Sequence, residues 1–434
     1  MSARKMHLSI NLTEYGRHSG AWRHPDADVS TIPNIDSYVH AVQWAERGFF
    51  DQVFMADSPV HGAGRSNVTG TRLDPLEMAA ALGAITQHVG LIATLSTSYN
   101  EPMDVARRAA SVDAILGGRL GINYVASSGD EIARNFNRGA QLPHDERYIR
   151  SNEFLEVVTK LWAAAPAPDS PGSVVSHHGQ FFDVEGMLDV QQPPMRRPII
   201  VQAGSSPDGR DLAARWADAI YAAGSTIARG QEYYDDIRSR TAAYGRDPDS
   251  IKIILGIAPF IGETEAEAFA LHGALDGYHA EGADTVAHLS RLLEWDLSVY
   301  DPDAGLPFDD LPEVKTASVS QAGLFTRMAR EEGLSIKEVA YRSYVGGLAN
   351  MQFVSTGTPI QVADTMQEWF EAGTCDGYSL VAPNIGPTIE KFVTHVVPIL
   401  QERGLVRTDY DSTTIAGHFG ISELDQRVTD GTAA

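Results

Sequence analysis

The stretch Pro198-Ile-Ile-Val-Gln-Ala-Gly-Ser205-Ser206-Pro-Asp-Gly-Arg210 decides how the rest of the chain is read. Ile199, Ile200 and Val201 form an unbroken β-branched run, the composition of a strand covered on both faces. Gly204 allows close backbone approach, and Ser206-Pro207 is a helix start with a hydroxyl N-cap and proline at the first helical position. The unpaired N–H groups and positive dipole end of that helix favour an anion. Ser205 and Ser206 add two hydroxyl donors, so the turn reads as a phosphate cradle on a β/α scaffold. The same residues are also compatible with Ser206 as a cap and nothing more.

Outward from this turn, strand-like and helix-like stretches alternate. Toward the N-terminus, Met6–Leu12, Gln52–Ala56, Val89–Leu95 and Arg119–Val125 read as strands. Between them Ile35–Arg47 (with Asn34 as N-cap), Leu76–Thr86, Val105–Leu116 and Arg147–Trp162 have helical character, and Gly117-Gly118 stops the third helix. Toward the C-terminus, Ala219–Ala223, Ile251–Ile261 and Ser379–Ala382 follow Pro198–Ala203 as strands. Their helices are Arg210–Ala217, Gln231–Tyr244, Glu265–His279, Thr358–Glu371 and Thr388–Leu400.

Two stretches interrupt the alternation. Residues 163–197 carry several prolines and His177-His178 and read as an excursion with a hairpin. Residues 282–357 carry Trp295, Tyr300 and the acidic, proline-bearing run Asp301–Glu313. The polar tail 402–434 reads as a segment that wraps a neighbour or frays.

Eight apolar strands, each followed by a helix, make one (β/α)8 TIM barrel spanning 1–434, with these insertions and the tail, the expected fold. A doubly wound sheet holding a dinucleotide calls for three spaced glycines after its first strand. Gly62-Ala-Gly64 and Gly346-Gly347 lack both the third glycine and the strand–helix setting.

Bulk properties narrow the function classes. The chain has 34 Lys and Arg against 57 Asp and Glu, a formal net charge of −23. So acidic a surface argues against nucleic acid as a partner. Cys375 is the single cysteine, which excludes an internal disulfide and a cysteine-built metal site. The start MSARKMHLSINLTEYG lacks a signal-peptide apolar core, and no run reaches the ~18 apolar residues of a membrane span. A cytoplasmic enzyme is the expectation.

Barrel enzymes build their sites at the C-terminal strand ends. The polar residues there are Asp57 and Ser58, then Thr94, Ser96 and Thr97, then Asn123 to Ser128, then Gln202 to Ser206. Singly, each has a structural role available as a turn cap or a backbone-bonded hydroxyl. Together at one mouth they need partners, because burying them unpaired is costly. His144 and Tyr148, four apart at a helix start, share one face. His18, Trp22, His24 and His61 lie where the first two loops reach a substrate. No metal is expected: there is no His-Glu-x-x-His, and His177-His178 has no spaced third ligand. Gly16-Arg-His-Ser-Gly20 sets serine one place off a nucleophile elbow, and no Gly-Lys-Ser/Thr phosphate loop occurs.

With these residues assembled, the sequence resembles the flavin-dependent monooxygenases of the bacterial luciferase-like superfamily. More narrowly it is similar to the branch of nitrilotriacetate monooxygenase component A, dibenzothiophene-sulfone monooxygenase and pristinamycin IIA synthase. The marks are Gly20-Ala-Trp22-Arg-His-Pro25, Phe54-Met-Ala-Asp57, Gly90-Leu-Ile-Ala-Thr94-Leu-Ser96-Thr97, Ala106-Arg107, Gly117-Gly-Arg119-Leu-Gly and Asn135-Phe136. They continue with His144-Asp-Glu-Arg-Tyr148, Gly179-Gln-Phe-Phe182, Val201-Gln-Ala-Gly-Ser-Ser206, Gly357-Thr-Pro359 and Asp376-Gly377.

The resemblance implies a barrel that binds reduced FMN supplied by a separate NAD(P)H-dependent flavin reductase. Flavin contacts carry over to Asp57, Thr94, His144, Tyr148 and Ser205 or Ser206, with Gly204 in the same turn; the serines and Tyr148 take the phosphate. Ser96, Asn123 and Ser127 join them by position. Reduced FMN reacts with O2 to give a flavin peroxide, which oxidises a small organic substrate at a C–N or C–S bond or beside a heteroatom. Asp57, His18 and His61 are the groups expected to tune protonation. A homodimer or homotetramer is implied as well. Where the family often has Trp-Asn-Val-Val-Thr-Ser, this chain has Ile122-Asn-Tyr-Val-Ala-Ser127, which reads as the loss of a bulky ring and a hydroxyl beside the flavin. Three rivals remain: a riboflavin-cleaving enzyme of the same family, a deazaflavin (F420)-dependent oxidoreductase, and a non-catalytic flavin-binding protein.

Overall fold

Eight parallel strands close on themselves in the computed structural model, which describes residues 4–13, 15–25, 27, 35–57, 73–127, 129–193, 195–224, 226–280, 284–312, 319–345 and 353–421. They are β1 (His7–Leu12), β2 (Gln52–Met55), β3 (Gly90–Ser96), β4 (Leu120–Val125), β7 (Ile199–Gln202), β8 (Ala219–Ala222), β9 (Lys252–Ile261) and β11 (Gly377–Leu380). Each pairs with the next, β8 with β9 and β11 with β1, so the sheet has no open edge inside the ring. This is the (β/α)8 barrel expected from the sequence, with seven strands on the expected apolar runs and the last, expected at Ser379–Ala382, beginning two residues earlier at Gly377.

The connecting helices follow local chemistry. Helix α1 (Asp36–Arg47) joins β1 to β2, and its expected cap Asn34 lies outside the described residues. Asp74 caps α2 (Pro75–Gly83) through the Leu76 N–H. α3 (Pro102–Leu116) ends where Gly117 and Gly118 adopt φ of 63° and 89°, a left-handed turn that suits glycine. α4 (Asp130–Asn135) and α5 (His144–Ala163) precede a two-stranded antiparallel hairpin, β5 (Val175–His178) with β6 (Asp183–Gly186), inside the first interrupting stretch. α6 (Pro207–Trp216) and α7 (Ile227–Ala243) flank β8.

The second interrupting stretch follows α8 (Glu265–Ala280). Its helices α9 (Thr285–Leu293), α10 (Val319–Glu332) and α11 (Ile336–Val345) bury Leu289, Leu293, Phe325, Ile336 and Val339 in a core of their own. At its end β10 (Phe353–Gly357) rejoins the sheet beside Ile257–Ile261 of β9. β9 thus runs beyond the ring and carries a wall above the barrel mouth. α12 (Pro359–Glu371) starts with a Thr358/Gln361 capping box. α13 (Ile385–Lys391) passes through a π turn at Phe392–Val396 into α14 (Val397–Glu402), where Pro398 has no N–H to continue the ladder.

The floor of the barrel holds a finding that sequence reading missed. Three aspartates, each one residue before a strand, accept the N–H of the second residue of the preceding barrel strand: Asp51 from Leu8 (2.7 Å), Asp218 from Ile200 (2.7 Å) and Asp376 from Ile253 (2.9 Å). Each is matched by arginine: Arg407, Arg197 and Arg238 respectively. Barrel stability is built at this N-terminal face, leaving the other face for chemistry.

Over its described part the tail is folded against the barrel's own floor rather than frayed. Helix α15 (Ile415–His418) seats Ile415, Ala416 and Phe419 beneath Phe54, Ile92, Ile199, Val201 and Ile254, plugging the floor. Gly90 is glycine because a Cβ there meets Ile415 Cδ1 at 2.5 Å. A polar composition hid the plug: Ile415 and Ala416 in one short helix and Phe419 at its C-cap carry it.

The helical insertion is tied down through α8. His279 Nε2–H donates to the Tyr344 carbonyl (3.0 Å), its ring stacks on Tyr344 with centroids 4.1 Å apart, and His288 meets the same tyrosine edge-on. Burial pushes the His279 imidazole down from 6.5 to about 4. Above pH ~6.5 the group is neutral in both states; as pH falls toward 4 the unfolded chain takes the proton first, so stability is lost in that window. Between pH 7 and 5, the melting temperature of the wild type is expected to fall further than that of His279→Phe. Equal falls would show that the insertion is anchored independently of this ring.

Candidate active site

The turn of Gly204, Ser205 and Ser206 forms as its residues dictate. Ser206 caps α6 by accepting the Gly209 N–H at 3.2 Å, with Pro207 at the first helical position. The turn and the helix start touch so closely that a Cβ on Gly204 meets the Gly209 Cα at 2.7 Å. Gly209 also has Tyr148 Oη at 3.1 Å from where its own Cβ would stand. Glycine at both positions leaves bare backbone at the helix start, the setting that favours an anion.

Tyr148 brings α5 to the same spot. The Ser206 and Tyr148 hydroxyls are 3.4 Å apart, and His144, one turn earlier, has its ring 5.0 Å from that of Tyr148. His144 Nε2 lies 3.1 Å from Asp208 in the first turn of α6. So Gly204, Ser205, Ser206, Tyr148 and His144, drawn from two separate segments, share one corner at a helix start. Residues that sequence reading did not single out hold it from behind. Tyr233 donates to the Gly204 carbonyl (3.0 Å), and Arg210 Nε donates to the Ser205 carbonyl while stacking over Tyr233.

A second group lines the mouth at β3 and β4. Asn123 Nδ2 donates to Thr94 Oγ1 (3.0 Å), and Ser96 and Ser127 share a hydroxyl hydrogen bond (2.8 Å). Asn123 Oδ1 is buried with no protein partner, as is Asn11 Oδ1 at the end of β1. Buried carbonyl oxygens left open at a mouth call for a ligand's donors. Arg147 links both groups: from α5, between His144 and Tyr148, it donates to the carbonyls of Ala126 and Ser127. Nothing in its spacing marked it, because its targets lie in another strand–loop unit.

Asp57 stands half-buried at the end of β2. Ser58, His61, Gly62, Gly64, Ser128, Gly346 and Gly347 lie outside the described residues. Beside Asp57, an open pocket is lined by Leu12, Thr13, Arg17, Tyr38, Met55 and Met78. Its walls are apolar apart from the hydroxyls and one guanidinium. His18 is elsewhere, above β9 and β11. Its Nδ1 accepts the Gly20 N–H (3.1 Å) and its Nε2–H donates to Asp276 of α8 (3.0 Å), so both ring nitrogens are engaged.

A sequence profile of the luciferase-like monooxygenases matches residues 17–375. The chain belongs to that family. It is 38% identical to N-acetyl-S-(2-succino)cysteine monooxygenase of Bacillus subtilis, with 97% of each chain covered. It is 35% identical to nitrilotriacetate monooxygenase component A of Aminobacter aminovorans, covering 96% of this chain and 97% of that one. The solved structure of a riboflavin lyase with modified FMN and riboflavin superposes with a TM-score of 0.82 at 30% identity, covering 97% of both.

Membership makes the chain a flavin-dependent monooxygenase and gives the cradle its place, at the end of the fifth strand of a luciferase-like barrel. It also allows the departure at Ile122-Asn-Tyr-Val-Ala-Ser127 to be judged. Ile122 and Tyr124 point outward into the shell between barrel and helices, with the Tyr124 ring 6.0 Å from Phe154. The bulky ring absent at position 122 is therefore not lost from the mouth; that expectation is corrected by the strand's pleat, which turns Asn123 inward instead. Among the described residues no three His, Cys, Asp or Glu side chains are grouped to hold a metal, and no helix is long and apolar enough to cross a membrane.

Proposed function

We propose that this chain is the oxygenase of a two-component system: it takes reduced FMN from a separate NAD(P)H-dependent flavin reductase and oxidises a small organic acid at a C–S or C–N bond. The observation that carries the cofactor is the corner where Ser206 meets Tyr148 over two crowded glycines. A dianionic phosphate fits there, on free N–H groups and hydroxyls at a helix start. The open oxygens of Asn123 and Asn11 fit the N–H donors of a flavin ring across the mouth. When bound, reduced flavin supplies the electrons that activate O2. The protein's own work is to hold the phosphate with Ser205, Ser206 and Tyr148, orient the ring with Thr94 and Asn123, and keep water out. Asp57 sits beside that mouth, where it can hold or release a proton.

The substrate class rests on the pocket beside Asp57. Met55 and Met78 suit an apolar or thioether body, and Arg17, already engaged within the chain, stands at the wall where a substrate carboxylate would add to its contacts. The succino and acetate groups in the names of two relatives agree with this, and the words component A agree with a separate reductase.

The test is turnover of N-acetyl-S-(2-succino)cysteine or nitrilotriacetate with a generic flavin reductase, NADH and FMN. Product formation that persists with oxygen rigorously removed would sink the oxygenase reading. The likeness to a riboflavin lyase favours a second reading in which riboflavin itself is cleaved. Mass analysis after incubation with reduced flavin separates the two, since intact riboflavin counts against cleavage.

A further inference from the structure

Across the barrel from the phosphate corner, β9, β11 and the loop after β1 enclose a second set of polar side chains. Ile254 lies in the barrel interior, and the strand's two-residue repeat puts Ala258 and Phe260 on the same inward face, higher up. Val381, just past β11, packs with them. The ring of His272, on α8, stacks on Phe260 with centroids 3.9 Å apart and planes 15° apart. His272 is thus held over the mouth, and its side chain is 27% exposed.

The loop after β1 closes this quadrant. Arg17 and His18 donate their backbone N–H groups to the carbonyls of Ala382 and Pro383. Asp276 lies between two imidazoles: Oδ1 accepts from His18 Nε2 at 3.0 Å, and Oδ2 is 4.0 Å from His272 Nε2. His272 Nδ1 is 3.4 Å from the Thr356 hydroxyl on β10. His18 is locked and buried, while His272 is the member with a route to the mouth.

We infer that His272 is a catalytic acid–base for substrate, with Asp276 and His18 as the residues that position it. This rests on the functional reading above. Oxygenation of the carbon beside sulfur or nitrogen leaves that carbon bearing a hydroxyl and the heteroatom. His272 accepts the hydroxyl proton, the C–O bond becomes a carbonyl, and the C–S or C–N bond breaks with its electron pair leaving on the heteroatom. The imidazolium then returns the proton to the heteroatom. Atoms and charge balance without a further reagent. Burial holds the His272 imidazole below its usual 6.5, although Asp276 opposes this, so the base form is present at neutral pH. The groups facing it are Asp276, His18 and Thr356, with Tyr341 of α11 near Asp276.

The experiment measures kcat/KM against pH for N-acetyl-S-(2-succino)cysteine and nitrilotriacetate, with flavin reductase, NADH and FMN, in the wild type, His272→Ala and Asp276→Asn. FMN binding is followed by fluorescence quenching. His272→Ala is expected to lose on the order of 10²-fold in kcat/KM and the acid limb of its profile, with FMN affinity unchanged. Asp276→Asn, which removes the charge that favours the imidazolium, is expected to move that limb to lower pH. An acid limb that persists in His272→Ala overturns the inference; if that variant fails to fold, an unmoved limb in Asp276→Asn does so. Wild type that cleaves neither probe overturns the functional reading itself, and this inference with it.

Discussion

Replacing Asp51 by alanine is expected to cost about 3–5 kcal/mol of folding stability, read from the shift in a chemical denaturation midpoint. Asp51 is 1% exposed and accepts from the Leu8 N–H (2.7 Å) and from Arg407 (2.6 Å), with His7 Nδ1 at 3.1 Å. Its removal leaves a buried strand N–H without its acceptor and takes from the Arg407 guanidinium its buried carboxylate, leaving it the His418 carbonyl and the exposed Asp411. It also unties the tail, since Arg407 bonds both Asp51 and the His418 carbonyl in the helix that plugs the floor. Burial alone would raise the Asp51 pKa, but His7, Arg407 and the Leu8 N–H together hold it below 3.8. Its contribution is therefore complete above pH ~4 and lost as pH falls through the depressed folded value. A loss under 1 kcal/mol would show that the plug is held by Ile415 and Phe419 alone.

The second large effect concerns the phosphate corner. Changing Ser205 and Ser206 together to alanine is expected to weaken FMN binding on the order of 10²-fold while leaving riboflavin binding within a few-fold. Each hydrogen bond to a charged group contributes roughly 1.5–3 kcal/mol, and riboflavin brings no phosphate to use it. Fluorescence quenching by the two ligands gives the comparison directly. Ser206→Ala also removes the α6 cap, at about 1 kcal/mol, so Ser206→Gly serves as the control that lacks the hydroxyl at only a few tenths. Equal loss for both flavins in all variants would reduce the turn to a helix cap.

Much of the cradle was legible because its signals are local. Gly204, Ser206 and Pro207 are contiguous, and helix starts, β-branched runs and glycine stops act over a few residues. His144 and Tyr148 were placed on one face by helical spacing alone, and the structure brings that face to the serine turn. The direction of a side chain within a strand was less legible. Ile122 and Asn123 are neighbours in sequence and lie on opposite sides of the wall, which the register with β3 and β7 decides.

By itself, then, the amino-acid sequence determined the eight β/α units, the barrel they close into and the serine-capped turn after the fifth strand, because periodicity and capping are near-neighbour effects. Tertiary structure alone decided which distant residues meet. Arg407 reaches Asp51 across 356 positions, and Asp276 reaches His18 across 258. Such pairs leave no local mark, since each partner is an ordinary charged or polar residue in its own segment. Only closure of the ring sets one trio of aspartates under the floor, where they hold strands, and one aspartate between two histidines at the mouth, where a proton can be moved.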